Sequence, residues 1–532
     1  MTDKPRVYLY DSTLRDGAQT STVNFSVQNK IQIAKMIDEI GIDFIEGGWP
    51  GANPIDDEFF NKLPTLKKSQ FVAFGMTRRT NSSASNDNAL NAIINSPAQS
   101  ICIVGKCWDF HLSHALHITE EENLLMIEDS IRHIIKKNKL AMFDAEHFFD
   151  GYKSSPQFAL NVIKTAYNAG ARWIVLCDTN GGTLPSEIKE IVSEVIKHIP
   201  GEFLGIHCHN DTENAVANSI SAVEAGVRQV QGTINGLGER CGNANLISII
   251  PILALKLNYD IGINHNQLKN LTKTSHFLDD LLNKDSNKFA PFVGKFAFAH
   301  KGGLHVSAVA KNAKSYEHIE PELVGNKRLI MVSNQAGRSN IISRLQQINL
   351  IKDGDEFNNK VSDLVNLVKD LESQGYAYDS ADASFEILAK KTLSIVPNYF
   401  ELVSFSIVDN RTHDKNNNPV ISATANIEII IKGKSHHSSA TGNGPVNALD
   451  IALRSALAPQ YPILKNIRLC DYKVRILTPS DGTQAITRVQ IESADENNQR
   501  WTTIGVSQNI VDASYRALQD SMIYCLMKKQ SI

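Results

Sequence analysis

Nowhere in its 532 residues does the chain hold an uninterrupted apolar run of about 18 residues. No segment is therefore suited to cross a bilayer as a helix. The opening MTDKPRVYLYDS lacks a long apolar core behind a basic end, so no secretory signal is expected there. An excess of one charge sign is also missing. The 54 Lys and Arg residues face 57 Asp and Glu, for a net charge of −3. That balance gives no reason to expect a nucleic-acid or membrane-surface protein. Cysteine is scarce and scattered, at Cys102, Cys107, Cys177, Cys208, Cys241, Cys470 and Cys525. Cys102 and Cys107 have no second pair to complete a zinc site. Reduced thiols and a cytoplasmic protein are the expectation. The GNGP at Gly442 is not followed by Lys and Ser or Thr, so it is not read as a phosphate loop.

The chain does have length and alternation. It is too long for one core, which predicts two or three domains. From Arg6 to about Lys256, short apolar runs alternate with amphipathic segments. RVYLYDS is followed by DFIEGGW, QFVAFGM, SICIVGK, KLAMFDAEH, RWIVLCDT, FLGIHCH and RQVQGTING, eight candidate strands in all. Between them lie helical patterns such as 26–40, where Ile31, Ala34, Ile37 and Ile40 recur at three-residue steps, and 120–137, 156–169 and 213–225. Gly41, Gly170 and Gly226 each follow a helical pattern, where a left-handed residue closes a helix. Eight strand–helix repeats favour a closed (β/α)8 TIM barrel, with an open doubly wound sheet as the alternative.

A barrel should carry its reactive groups just past the C-terminal strand ends. Asp11, Arg15 and Asp16 follow the first run. Asp144, Glu146 and His147 end the fifth, and Asp178 and Thr179 the sixth. His207 and His209 end the seventh, and Asn235, Glu239, Arg240 and Asn243 follow the eighth. His207 and His209 are two apart, so a strand turns both imidazoles to one face. Neutral imidazoles are common ligands of first-row divalent metals. Asp16, beside the eighth strand in a closed barrel, is the best carboxylate partner, and Asn243 offers an amide oxygen. Oxygen donors suit Mg2+ or Mn2+, and imidazoles pull toward Zn2+ or Co2+. Arg15 is a candidate cation for a developing oxyanion, with a salt bridge to Glu46 as the competing reading. Cys208 should point away from the histidines and pack.

DSTLRDGAQT, IHCHND and GTINGLGERCGNANL resemble the signatures of the metal-dependent acyl-CoA condensing and cleaving barrel enzymes, the isopropylmalate and homocitrate synthase family. GGLHVSAV with the following Tyr316 resembles the segment that brings a catalytic histidine, here His305. WTTIGVSQNIVDASYRALQDS resembles a regulatory domain of the family. EGGWPGANPID, DAEHFFDGYK and LCDTNGGTLP are similar to the subgroup whose acceptor is pyruvate. The resemblance implies a catalytic barrel over 1–265, small mainly helical linker subdomains over 266–398, and a C-terminal α+β regulatory and dimerisation domain over 399–532. It implies acetyl-CoA as co-substrate, a divalent metal held by Asp16, His207, His209 and Asn243, and Thr179 on the substrate carboxylate. It gives Arg15, Glu146, His305 and Tyr316 catalytic roles, the last two lying over the partner's barrel in a homodimer, and isoleucine as the effector.

Within the later region, KGGLH and VGNKRL read as loops and 356–375 as a helix. VSFSIVDN, SATANIEIIIKGKSH, YKVRILTP, TRVQIESA and WTTIGVS read as strands, and 447–457 and 510–527 as helices. The Asp481-Gly482 turn and the strand near Ala485 and Arg488 are candidate effector-pocket positions. Two competing readings stand beside the leading one: the same chemistry on 2-oxoisovalerate or 2-oxoglutarate, and a catalytically dead effector-binding protein.

Overall fold

The computed structural model describes residues 5–331, 338–351, 358–393, 397–413, 415–496 and 499–530. Eight parallel strands close into a barrel in sequential order: β1 (Tyr8–Asp11), β2 (Phe44–Gly48), β3 (Gln70–Met76), β4 (Ser100–Lys106), β5 (Leu140–Glu146), β6 (Trp173–Asp178), β7 (Leu204–Cys208) and β8 (Gln229–Gly232). Closure is made by β1 on β8, with Tyr10 opposite Gln231. The open-sheet alternative is thereby excluded. Local chemistry delimits the helices between the strands. Ser26 and Asn29 form a reciprocal cap on Val27–Ile40, and Gly41 closes that helix at φ +86°. Thr119 caps Glu120–Lys136, which has Glu120, Glu121 and Glu122 in its first turn and Lys136 in its last, complementing the helix dipole.

Side-chain alternation divides the barrel into two apolar layers. Leu9, Ile45, Ile101, Phe143, Ile174, Ile206 and Val230 face outward into the shell packed with helices. Tyr10, Phe44, Val72, Phe74, Cys102, Met142, Trp173, Val175 and Cys177 face each other across the lumen. The same inward parity continues through Glu46, Asp144, His207 and Gln231, so polar groups sit above an apolar floor. Cys208 is buried in the outer layer, as its parity requires.

The chain divides into two compact units, Met1–Phe298 with Ile319–Lys327, and Ala299–His318 with Arg328–Ile532. In the second, β9 (Ala299–His300) pairs in parallel with β10 (Leu329–Ile330). Helices Arg338–Gln347, Asn358–Ser373 and Asp382–Thr392 share one core. Two antiparallel three-stranded sheets follow: β11 (Glu401–His413), β12 (Pro419–Ile431) and β13 (Lys434–Gly442), then β14 (Arg468–Ile476), β15 (Thr487–Ala494) and β16 (Arg500–Ser507). Helices Pro445–Leu457 and Ile510–Gln530 pack into their common core.

Three expectations change here. KGGLH is not all loop, because Gly303–Lys311 is helical and carries His305 in its first turn; the paired glycines hide that helix from propensity. VGNKRL ends in Leu329, the first residue of β10, a two-residue strand defined by its partner rather than by any local pattern. SATANIEIIIKGKSH is two strands, turned at Lys432 (φ +49°) and Gly433 (φ +77°), so Ile431 lies opposite Lys434. Of the helix expected over 356–375, residues 356 and 357 lie outside the described residues.

Candidate metal and substrate site

The rim of the barrel brings Asp16, His207 and His209 together. All three are buried, and one ligand atom from each lies within 4.8 Å of the other two. Asp16 Oδ2 is 3.3 Å from His207 Nε2 and 3.8 Å from His209 Nε2. The loop after β1 delivers Asp16 because β1 is hydrogen-bonded to β8 at the closure, with β7 next in order. Asn243 joins from the loop after β8 through a bridge to His209. Its Nδ2 donates to Leu237 O at 3.0 Å. That fixes the amide so that Oδ1 is left as the free acceptor, buried and without a hydrogen-bond partner among the described residues. His209 Nδ1 is likewise buried and unpartnered.

The electrostatics suit a divalent cation. Burial works against charge on Asp16, but Arg15, His207 and His209 outweigh it and hold the carboxyl well below the usual carboxylate range. Burial and the nearby His207 push His209 down to about 4, leaving it neutral with a lone pair to offer. His207 moves the other way, because its hydrogen bond to Asp16 overcomes the burial that disfavours its cation. Two imidazoles, a carboxylate and an orphaned amide oxygen form a donor set suited to a divalent ion.

Arg15 lies beside this set. Its Nε donates to Glu46 Oε2 at 2.7 Å, its Nη1 is 3.7 Å from Asp16 Oδ2, and its guanidinium stacks 3.9 Å from the centroid of Phe74. The salt bridge to Glu46 is thus present, and it orients Arg15 at the rim. Burial opposes its charge, but Glu46 and Asp16 keep it firmly cationic. Glu46 is itself held by Tyr10 Oη, at 2.7 Å from Oε1, and by Ser12 Oγ. Thr179 Oγ1 accepts the backbone N–H of His147 at 2.9 Å, which leaves its own hydroxyl proton to donate. Glu146 pairs with Lys106, its register partner on β4. Arg240 is not a ligand. It grips Asp211 with Nε and Nη2 at 2.7 and 2.8 Å and reaches Thr179 O at 2.7 Å, tying the loops after β6, β7 and β8. Asn235 is turned to Ser275 O and Asp279. A cavity of about 430 Å³ opens beside the rim at the ends of β3 and β4, lined by Trp49, Met76, Val104, Lys106, Leu116 and Met126 among others.

His305 and Tyr316 belong to the second unit. Their ring centroids lie 4.2 Å apart, and both residues are exposed. Sequence reasoning passed over Gln231, which bridges His207 and Asp144. The available signal was a second polar residue, two places after Gln229, on a strand buried throughout.

Residues 6–275 match the HMGL-like family, 292–374 the homocitrate synthase post-HMGL domain-like family, and 379–526 the LeuA allosteric (dimerisation) domain. The (R)-citramalate synthase of Aquifex aeolicus (strain VF5) is 48% identical over 527 residues, covering 99% of this chain and 98% of the relative. That of Geobacter sulfurreducens is 48% identical over 528 residues, covering 99% and 98%. The chain belongs to the citramalate synthase family. A probable 2-isopropylmalate synthase of Methanopyrus kandleri is similar at the lower identity of 31%, over 96% of this chain and 97% of the relative. The three family matches follow one another along the chain in the order of the barrel, the linker helices and the two antiparallel sheets.

Proposed function

We propose that the protein condenses acetyl-CoA with pyruvate and hydrolyses the resulting thioester, giving (R)-citramalate and CoA. The observation that carries the chemistry is the buried Asp16–His207–His209 cluster beside the orphaned Asn243 Oδ1. The full-length similarity to (R)-citramalate synthases carries the choice of acceptor. A divalent cation held by Asp16, His207, His209 and Asn243 would supply a Lewis acid that polarises the keto group of the 2-oxo acid.

The residues of the chain do the rest. Arg15, cationic and pre-oriented by Glu46, directs its remaining N–H groups at the oxygen that gains charge as the new carbon–carbon bond forms. Thr179 donates its hydroxyl to the substrate carboxylate. A base takes a methyl proton from acetyl-CoA, and the enolate carbon attacks the ketone carbon. We assign the proton handling to His305 and Tyr316 with Glu146. Water then cleaves the thioester of citramalyl-CoA, releasing the thiol and making the sequence effectively irreversible. Feedback control by isoleucine at the C-terminal sheets, and a cytoplasmic homodimer, complete the reading; the dimerisation-domain match supports the oligomer.

The test is release of free CoA thiol from acetyl-CoA with a panel of 2-oxo acids, with and without chelator. Pyruvate should be the best acceptor, and chelator should abolish turnover. Faster reaction with 2-oxoisovalerate would overturn the acceptor, and no reaction with any acceptor in metal-replete buffer would favour a dead effector-binding protein.

A further inference from the structure

His207 is one of four groups proposed to meet the cation, and it is the only imidazole of the pair whose far nitrogen is anchored within the described residues. Its Nδ1 lies 2.8 Å from Gln231 Oε1. Gln231 Nε2 in turn donates to Asp144 Oδ1 at 3.1 Å. His207, Gln231 and Asp144 are all buried, at 5%, 0% and 3% exposure respectively, so water does not compete for these bonds. The positions follow from the barrel. His207 and Gln231 are register partners on β7 and β8, and Asp144 faces them from β5 across the lumen.

We propose that Asp144 and Gln231 are positioning residues that select the ring tautomer of His207 and so present its Nε2 lone pair to the cation. The logic rests on which atoms donate and which accept. A glutamine amide has one end that accepts and one that donates, and a hydrogen-bonded neighbour decides which way it points. A carboxylate only accepts, so Asp144 takes the NH2 end. The carbonyl end then faces His207 and accepts from Nδ1–H. The ring also meets Asp16 Oδ2 through Nε2, 3.3 Å away. Once the cation form gives up its Nε2 proton, the single proton of the neutral imidazole is the one held on Nδ1 by Gln231, and Nε2 is bare. Turned the other way, the amide would donate to Nδ1, and the proton would move to Nε2, facing Asp16, where it blocks a ligand bond. Outer hydrogen bonds of this kind orient metal-bound histidines and raise their basicity. His209 has no such anchor on its Nδ1 among the described residues, so the tautomer-setting function falls on this one chain of bonds.

The inference rests on the cation reading of the site, and its test separates the two. Metal-free protein is titrated with Mn2+ by calorimetry, folding being checked by circular dichroism. Gln231→Met keeps the volume and removes the acceptor, and it should weaken Mn2+ binding by about 10–100-fold. The double variant D144N/Q231E exchanges the two chemistries while conserving charge. The carboxylate then introduced on β8 can only accept from His207, and the amide introduced on β5 can supply the donor. Affinity should therefore return to within a few-fold of the native protein. A merely structural role does not predict that rescue. In metal-free, 15N-histidine-labelled native protein at about pH 9, the resonance lost in His207→Asn should show the proton on Nδ1, and in Gln231→Met it should shift toward Nε2. Native affinity in Gln231→Met, no rescue in the double variant, or an unshifted tautomer would overturn the proposal. If the native protein takes up no Mn2+, the cation reading fails, and the tautomer measurement still decides this one.

Discussion

Arg15 is held half-buried at the rim by charge, a hydrogen bond and ring stacking together. Glu46 and Asp16 flank its guanidinium and Phe74 lies under it. Lysine keeps the charge but loses the fork that binds Glu46 sideways while aiming its other donors inward. Arg15→Lys should lower kcat about 100-fold with a smaller change in the KM for the 2-oxo acid, read by steady-state thiol release; equal loss in Arg15→Lys and Arg15→Met would refute a geometric role. His207→Ala should lose both Mn2+ binding and turnover while the oligomer persists on size-exclusion chromatography. Normal turnover in that variant would remove His207 from the ligand set. Asp520, far from these residues in the sequence, reports on the second unit. Burial raises its pKa from 3.8 to about 6, against the hydrogen bond from Ser384 at 2.6 Å. A carboxyl raised on folding costs stability when ionised. The cost is absent below the unfolded value, sets in between pH 3.8 and about 6, and is complete above that. Asp520→Asn, which keeps an acceptor for Ser384, should therefore raise the melting temperature at pH 7 and leave it unchanged near pH 4, for a gain of at most about 3 kcal/mol. Equal shifts at both pH values would show that ionisation is not the cause.

At the level of elements, β7 shows how spacing becomes a site. Gly205, His207 and His209 share the inward parity, and each does a different job. A Cβ on Gly205 would come within 2.8 Å of Gln229 Oε1 and 2.9 Å of Val175 Cγ2. The absent side chain is the space in which the neighbouring strands fill the lumen below the histidines. Gly205→Ala should cost about 1–3 kcal/mol through overpacking, measured by urea unfolding, and weaken Mn2+ binding by displacing His207. Unchanged stability would mean that the lumen has slack. Much of this element was legible. The two-residue spacing of the histidines, the apolar lead-in and the outward Cys208 all follow from strand alternation. Asp16 was legible only through the count of eight strands, since barrel closure is what brings the first loop to β8. The inward parity of Gln231 was legible from its spacing to Gln229, but its role was not, because a polar residue in VQG carries no sign of the partners that orient it. His305 was placed by resemblance, but its helix was missed, since GG before a short apolar run lowers helix propensity whatever the tertiary contacts supply.

For the molecule as a whole, the division of labour predicts behaviour in mixtures. If His305 acts across subunits, inactive His207→Ala and inactive His305→Ala proteins, unfolded and refolded together, should recover up to about a quarter of native activity, because random pairing gives half heterodimers with one intact site in two. No recovery from a mixture shown by mass spectrometry to contain heterodimers would place both residues in one subunit's site. Light scattering should give twice the 58.8 kDa chain mass or a multiple of it. Isoleucine should inhibit the full chain, and leucine should not.

The sequence by itself determined the alternation of strand and helix over eight repeats, which favours a closed parallel barrel over an open sheet, and it determined which face of each strand looks inward, because that follows from a period of two; the pairing of β1 with β8 closed the barrel. The sequence also located the two imidazoles and the loop carboxylate. Only the tertiary structure decided how those groups are held. The Asn243 amide is oriented by Leu237, Arg15 by Glu46, and the His207 ring by Gln231 and Asp144 across the lumen. These bonds join residues 6 to 87 positions apart. Their direction depends on which donor meets which acceptor once water is excluded, and no local pattern in the chain encodes that.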